Sequence, residues 1–121
     1  METSNKKKKT RVIVKSGGQN IALCVMDIEL IYSVERTVCI IDKFSIPYLL
    51  NKSLAEMQQE LDENCFFRAN RQQMININFV KGFRTIENVK LQIELTLTGQ
   101  YPDILISKET APLFKRWLVE S

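Results

Sequence analysis

The chain contains 121 residues, 45% of them hydrophobic, with a formal net charge of +3, and this length predicts one domain whose core can form without disulfides. It has no histidine, its three cysteines (Cys24, Cys39 and Cys65) are far apart, and no apolar run approaches the roughly 18 residues of a membrane span. We therefore expect a cytoplasmic protein with free thiols, no recognisable signal peptide, no metal site and no cofactor.

Positive charge is concentrated at the start of the chain. Residues 1–11 hold five bases and one acid, which leaves 12 bases and 13 acids in the remainder. We expect residues 1–11 to be a disordered basic lead-in or linker and residues 12–121 to be the folded domain. Within that domain, residues 54–64 hold four acids and no base, whereas residues 65–90 hold five bases and one acid. This separation predicts one positive side, which an anionic polymer would meet.

Short β-rich segments fill the first half of the domain. A turn cluster at residues 16–20, centred on Gly17-Gly18, predicts that the first two segments form a hairpin, and a polar connection at residues 33–37 joins the next two. Pro47 lacks an amide hydrogen, so we expect the alternating segment around it to lie at a sheet edge. The segments are residues 12–14, 21–25, 27–32, 38–41 and 44–48.

The sequence from Ser53 to Glu56 predicts the start of a helix. It matches a capping box, in which each of these two side chains binds the backbone amide of the other residue. Three apolar residues then recur at helical spacing, and we expect them to face a core. They are Leu54, Met57 and Leu61. Asn64 is the expected end of this helix.

The last third of the chain predicts strands followed by a helix. A turn near Glu87-Asn88 leads to residues 89–97, where apolar and polar side chains alternate strictly, as in a half-buried strand. Gly99-Gln100 predicts a turn into a strand at residues 104–106. A polar junction then precedes a helix with Pro112 in its first turn. The apolar stripe of that helix consists of Leu113, Phe114, Trp117 and Leu118.

Together these elements predict a mostly β fold of many short strands, with one inserted helix and one C-terminal helix. Catalysis is not expected, because histidine-based triads are impossible and Ser107 and Lys108 are adjacent rather than in a Ser-x-x-Lys arrangement. Gly17-Gly18 also lacks the flanking residues of a phosphate-binding loop. We therefore predict that the protein is not an enzyme and has no catalytic residues.

Binding chemistry is concentrated in residues 65–80, whose centre is polar and free of acids. Arginine can donate two hydrogen bonds to guanine, and asparagine or glutamine can pair with adenine in a similar way. These groups occur consecutively at Asn70, Arg71, Gln72 and Gln73. Two further polar connections supply Ser33, Arg36, Thr37, Ser107 and Lys108. On composition alone, an ordinary solvated surface remains an alternative to nucleic-acid binding.

The stretch from Phe66 to Asn76 resembles the signature of the LytTR family, the DNA-binding output domain of many bacterial response regulators. That signature reads aromatic, any residue, Arg, apolar, His, Arg, Ser, aromatic, apolar, Val, Asn. The matching residues are Phe66, Arg68, Arg71 and Asn76, and Ile75 matches in type. Outside the signature, Asp27-Ile28, the helix before residue 65 and residues 104–108 resemble family motifs in the same order.

The resemblance implies an elongated β–β–β fold that binds double-stranded DNA through inter-strand loops placed in successive major grooves. The implied contact segments are residues 33–37, 70–73 and 107–108, which we call the first, second and third contact segments. Arg71 occupies the main base-reading position, and Lys108 takes the place of an arginine. The full predicted DNA-binding set is Arg71, Asn70, Gln72, Gln73, Arg36, Ser33, Thr37, Lys108, Ser107 and Arg68.

The resemblance also implies partners. Family members commonly bind direct repeats as pairs, so we expect a dimer on DNA, a monomer in isolation, and an upstream receiver or sensor domain in the native protein. Three residues depart from the signature, because Asn70, Gln72 and Gln73 stand where it has His, Ser and an aromatic residue. The base sequence that relatives read therefore does not transfer to this chain.

Two matched residues are expected to have supporting roles. Arg68 and Asn76 are interpreted as structural or phosphate-facing, with the Asn76 side chain fixing a turn by bonding to the backbone. An alternative function also remains. In it the chain is a small β module that binds a protein partner or a nucleotide ligand without binding DNA, and Arg68 and Arg71 hold the phosphates of that nucleotide.

Overall fold

The computed structural model describes residues 8–97 and 101–121. Within this part of the chain it contains ten strands and two α-helices, which confirms the mostly β fold with one inserted and one C-terminal helix. The strands are β1 (Arg11–Ser16), β2 (Gln19–Cys24), β3 (Ile28–Val34), β4 (Thr37–Asp42), β5 (Pro47–Leu50), β6 (Phe66–Asn70), β7 (Gln73–Asn76), β8 (Val80–Ile86), β9 (Lys90–Leu95) and β10 (Ile104–Ile106). The helices are α1 (Leu54–Glu60) and α2 (Ala111–Glu120), and 3₁₀ turns span Val25–Asp27 and Ile77–Phe79.

The strands form two antiparallel sheets. The first sheet has seven strands in the order β2-β1-β5-β4-β3-β7-β6, and the second has three in the order β10-β9-β8. In the first core, Leu54 and Met57 of α1 lie with Ile31 against one face of the first sheet. The second core joins the two sheets and α2, and it contains Leu30 and Phe114. β3 is therefore buried on both faces, because consecutive side chains point to opposite sides of a strand.

Tight turns connect three of the hairpins. Gly17-Gly18, Glu35-Arg36 and Glu87-Asn88 all have positive φ at both residues, as in the two-residue turns that match the twist of paired strands. The predicted turns at Gly17-Gly18 and near Glu87-Asn88 are confirmed, but the cluster at residues 16–20 is too long, because β1 continues through Ser16 and β2 begins at Gln19. The predicted connection at 33–37 is too long, because β3 continues through Val34 and β4 begins at Thr37.

The position predicted for Pro47 is wrong. β5 lies between β1 and β4, so it is an interior strand rather than an edge strand. Pro47 is tolerated there because it is the first residue of β5, where a strand accepts proline. Phe44 and Ile46 precede the strand and are exposed.

Both helices begin as the sequence predicts. At α1, Ser53 Oγ accepts from the Glu56 amide at 3.0 Å, and the Glu56 carboxylate accepts from the Ser53 amide at 3.0 Å. α1 ends at Glu60, however, and not at Asn64. Pro112 lies in the first turn of α2.

The apolar stripe of α2 is narrower than predicted. Phe114 is fully buried, whereas Leu113 is 55% exposed. The predicted turn at residues 99–100 lies outside the described residues. The three cysteines are free and half-buried, and no described helix is long and apolar enough to cross a membrane.

Candidate nucleic-acid interface

The three contact segments meet beside the turn between β6 and β7. On one side, the Ser33 amide donates a hydrogen bond of 2.8 Å to the carbonyl oxygen of Gln72. On the other side, Asn70 Nδ2 donates at 2.8 Å to the carbonyl oxygen of Leu105, two residues before the third segment. The fold therefore brings together three segments that are far apart in the sequence.

Arg71 and Gln72 alone form the turn of the second contact segment. Asn70 pairs with Gln73 at the ends of β6 and β7, and Ala69 is the extra residue of a bulge in β6. Asn70 Oδ1 accepts from the Gln72 amide at 2.8 Å, which closes the turn. Both turn residues are exposed, and within the described residues the Arg71 side chain makes no hydrogen bond or ion pair. Its five guanidinium donors are free for a ligand.

The Arg68 side chain stabilises this turn through hydrogen bonds to its backbone. Its Nε donates to the Asn70 carbonyl oxygen at 2.8 Å, and its Nη2 donates to the Arg71 carbonyl oxygen at 2.7 Å. A third hydrogen bond, from Nη1 to Gln58 Oε1 at 3.0 Å, ties the turn to α1. Partial burial lowers the pKa of the Arg68 guanidinium. The structural interpretation of Arg68 therefore fits its contacts better than the DNA-binding one.

Asn70 and Gln73 point into the protein. Gln73 is only 6% exposed, so the expectation that it belongs to an exposed polar edge is corrected. Its Nε2 donates to the Asp103 carbonyl oxygen at 3.0 Å, and its Oε1 accepts from Asn70 Nδ2 at 2.8 Å. With these bonds, both side chains are committed to contacts inside the domain.

A basic groove runs from the first to the second contact segment. This open cavity of about 820 Å³ is lined by the three exposed bases Lys15, Arg36 and Arg71 and the half-buried Lys52 and Arg68, with Glu56 as its acid. Ser33 and Thr37 also line it, but both belong to strands, so only Glu35-Arg36 project as a turn. Lys52 is paired with Glu60 at 2.7 Å. Among the described residues that line the groove, the cations whose side chains have no hydrogen bond or ion pair are therefore Lys15, Arg36 and Arg71.

Sequence reasoning missed Lys15. Its alternation with buried Val12 and Val14 indicates an exposed side chain, but nothing local shows which surface it joins. The pairing of Lys15 with Leu49 places β1 beside β5 and so brings the lysine to the basic groove. Such long-range pairing has no local signal in the sequence.

The third contact segment contains one supporting and one free side chain. Ser107 Oγ accepts from the Thr110 amide at 3.3 Å and donates to Thr110 Oγ1 at 3.2 Å, so it shapes the junction before α2. Lys108 is exposed and makes no hydrogen bond or ion pair within the described residues.

Comparisons with known proteins agree with this architecture. The family model of the LytTr DNA-binding domain matches residues 18–119. The chain belongs to the LytTR family. The LytTR fold is also seen in a similar solved structure, the LytTr DNA-binding domain of a protein described as a methyl-accepting/DNA response regulator from Bacillus cereus. That structure is 17% identical, has a TM-score of 0.79, and the match covers 93% of this chain and 99% of the other. No curated protein sequence matches this chain.

The ten predicted DNA-binding residues of this LytTR domain differ in exposure and in side-chain bonding. Five are exposed with free polar groups within the described residues, and they are Arg36, Thr37, Arg71, Gln72 and Lys108. Ser33 is half-buried, and Ser107 bonds to Thr110. Arg68 binds the backbone of the second contact segment, whereas Asn70 and Gln73 donate to backbone carbonyl oxygens of Leu105 and Asp103. The described residues contain no cluster of His, Cys, Asp or Glu that could hold a metal ion.

Proposed function

We propose that this LytTR domain binds double-stranded DNA sequence-specifically as the output domain of a bacterial transcription regulator. The observation that carries the proposal is that Arg36 and Arg71, with free side chains, line one basic groove from the turns of two hairpins. The chain that leads to Lys108 is bonded beside the Arg71 turn through Leu105. Membership of a family of DNA-binding domains supports the same conclusion. Such a regulator acts in the cytoplasm and needs neither a cofactor nor catalytic residues.

Arg71 is the proposed base-reading residue. It sits at the tip of a two-residue turn, and a narrow hairpin can enter a major groove about 12 Å wide. Its planar guanidinium can donate two parallel hydrogen bonds to guanine. Gln72 is adjacent and exposed, so its amide can contact a neighbouring base or a phosphate.

The flanking cations are proposed to hold the duplex on either side of Arg71. Arg36 projects from the first contact segment and Lys108 from the third, so both can reach adjacent grooves. Lys15 extends the basic groove along β1 and is suited to phosphate contact, which positions a protein without reading bases. Residues 12–121 form the proposed DNA-binding unit, preceded by a basic lead-in.

The proposed partners are supported by membership of the LytTR family. We propose that the domain binds direct repeats as a dimer, is a monomer in isolation, and is joined in the native protein to a receiver or sensor domain. The description of the Bacillus cereus domain as part of a response regulator supports the proposed link to a receiver or sensor domain. The nucleotide-binding alternative loses support, because it needs Arg68 and Arg71 to hold phosphates together and Arg68 is occupied by three internal acceptors.

Arg71→Ala tests the proposal directly. We expect it to weaken binding to a selected duplex by roughly 1–3 kcal/mol and to relax the preference at one base position, as for a base-reading arginine. Arg84→Ala is the matched control, because Arg84 is an exposed arginine on β8 that bonds to Gln92, outside the basic groove. Fluorescence anisotropy at several salt concentrations measures both variants. Equal affinities for wild type and Arg71→Ala would contradict the assignment.

A further inference from the structure

Two side-chain amides bridge the two sheets beside the DNA-reading turn. Asn70 Nδ2 donates to Leu105 O at 2.8 Å, and Gln73 Nε2 donates to Asp103 O at 3.0 Å. The two acceptors are two residues apart, so they lie on the same edge of the β10 chain. The other edge of β10 pairs with β9. Asn70 and Gln73, which we call the amide pair, thus bind a free strand edge in place of a neighbouring strand.

The orientation of both amides follows from their partners. Leu105 and Asp103 offer carbonyl oxygens, which can only accept, and the Gln72 amide, bound by Asn70 Oδ1 at 2.8 Å, can only donate. The remaining oxygen, Gln73 Oε1, is satisfied by Asn70 Nδ2. Gln73 therefore depends on Asn70, because without Asn70 the nearly buried Gln73 oxygen would lose its hydrogen bond.

The amide pair supplies directional contacts that the second core lacks. Apolar packing joins the sheets through Leu30, Ile75 and Phe114, and burial of this kind has no preferred direction along a strand. Hydrogen bonds constrain both distance and angle. Lys108 follows Leu105 by three residues, so a small slip of β10 would be carried to the third contact segment. A binding constellation needs its groups held within about 0.5 Å.

We propose that Asn70 and Gln73 are positioning residues that fix the Lys108 segment relative to the Arg71 turn. The proposal rests on the proposed DNA-binding function, because it assigns to the pair the spacing between two DNA contacts. The pair touches no base itself. It acts through Arg71 and Lys108, which carry the exposed donors.

Asn70→Asp removes the hydrogen bond from residue 70 to the Leu105 carbonyl oxygen but keeps the one that closes the turn. The carboxylate keeps an oxygen to accept from the Gln72 amide, but it places a second oxygen against Leu105 O where the donor had been. In NMR spectra of the free protein, we expect shifts of the Leu105 carbonyl carbon and of the amides of residues 106–108. Gln72→Glu is the matched control, since it adds the same charge on an exposed side chain of the same turn. Equal signals for residues 105–108 in Asn70→Asp and wild type would overturn the bridge.

Binding measurements then test the positioning role. Asn70→Ser serves as the background, because a serine hydroxyl can still accept from the Gln72 amide but is too short to reach Leu105, and it adds no charge. Lys108→Ala is expected to weaken specific binding about tenfold in the wild-type background and less than about twofold in Asn70→Ser, as for coupled residues. The same loss in both backgrounds would overturn the proposal. If wild type binds no duplex specifically, the proposed function fails, and the free-protein spectra still decide whether the amide pair places residues 105–108.

Discussion

At the residue scale, two arginines at the hairpin of β6 and β7 have opposite roles. Arg68 donates to two carbonyl oxygens of the turn and to Gln58, whereas Arg71 is exposed and unpaired within the described residues. The bulge at Ala69 separates them and changes the direction in which the following residues point. Residue type indicates polar chemistry here, but only the three-dimensional register shows which donors are exposed and which are bonded inside the domain.

The contacts of the Asn76 side chain agree with its predicted structural role. It is fully buried, its Nδ2 donates to the Ile28 carbonyl oxygen at 2.8 Å, and its Oδ1 accepts from the Asn78 amide at 2.9 Å. One side chain thus links β3 to the 3₁₀ turn after β7. Both partners are backbone groups that would lose their hydrogen bonds if the side chain were removed.

Asn76→Ala is therefore expected to lower the free energy of unfolding by roughly 2–4 kcal/mol, because two backbone groups are left unsatisfied. Urea denaturation measures the loss. Asn78→Ala is the matched control on an exposed neighbour, and we expect a change below about 0.5 kcal/mol. A loss below about 0.5 kcal/mol for Asn76→Ala would contradict the prediction, because water would then replace the asparagine side chain.

At the element scale, the hairpin of the first contact segment has an unfavourable turn. Glu35 and Arg36 have φ values of 48° and 67°, a region that side chains other than Asn and Gly occupy at some cost. Retaining Arg36 there projects a cation from the tip of the hairpin. The presence of Glu35 and Arg36 in this turn is therefore better explained by a contact role for Arg36 than by the stability of the hairpin.

Glu35→Asn should stabilise the domain by roughly 0.5–1 kcal/mol, because asparagine tolerates the left-handed region better than glutamate. Thermal and urea unfolding measure the gain. Glu63→Asn makes the same chemical change at an exposed residue without positive φ and should have little effect. A neutral or destabilising result at residue 35 would contradict the account of the turn.

The predicted elements succeeded where the signal was local. The capping box at Ser53, the glycine turn at 17–18 and the alternation of residues 89–97 each depend on neighbouring residues, and each gave the right kind of element. The errors at 33–37 and Pro47 have a different origin. Glu35-Arg36 has no turn-forming composition, and the interior place of β5 depends on pairing with β1, which is distant in the sequence.

The same distinction applies to the candidate site. Arg36, Arg71, Gln72 and Lys108 are exposed, in agreement with their predicted position in polar connections. Gln73 is not the exposed residue that the sequence predicts, because its side chain bonds to Asp103, just before β10 and 30 residues away in the sequence. Lys15 was missed because strand pairing, rather than any motif, brings it to the basic groove.

At the scale of the whole molecule, a buried carboxyl group joins the two sheets. Glu29 lies at the β3 bulge, is 3% exposed, and accepts from Thr96 Oγ1 at 3.4 Å. Desolvation by burial raises the pKa of Glu29 above 4.5, opposed by the Thr96 hydrogen bond and reinforced by nearby Asp42. The neutral carboxyl is therefore the form that burial favours.

This raised pKa gives stability a defined pH dependence. The folded protein holds the Glu29 proton more tightly than the unfolded chain, so its contribution is fully present below about pH 4.5 and is lost as pH rises through the folded pKa. Glu29→Gln carries no such proton. We expect the free energy of unfolding of the variant to increase relative to that of wild type as the pH rises above about 4.5. Parallel curves for the two proteins in urea denaturation from pH 4 upward would contradict the assignment.

We propose that three segments of this LytTR domain form one sequence-reading surface. In-vitro selection of duplexes from a random pool, followed by footprinting of the enriched duplexes, tests this proposal most directly. We predict enrichment of a defined sequence with protected blocks in successive major grooves, and loss of one preferred base position when the selection uses Arg71→Ala. A pool that shows no enrichment over its starting composition, with binding governed by salt alone, would contradict the account.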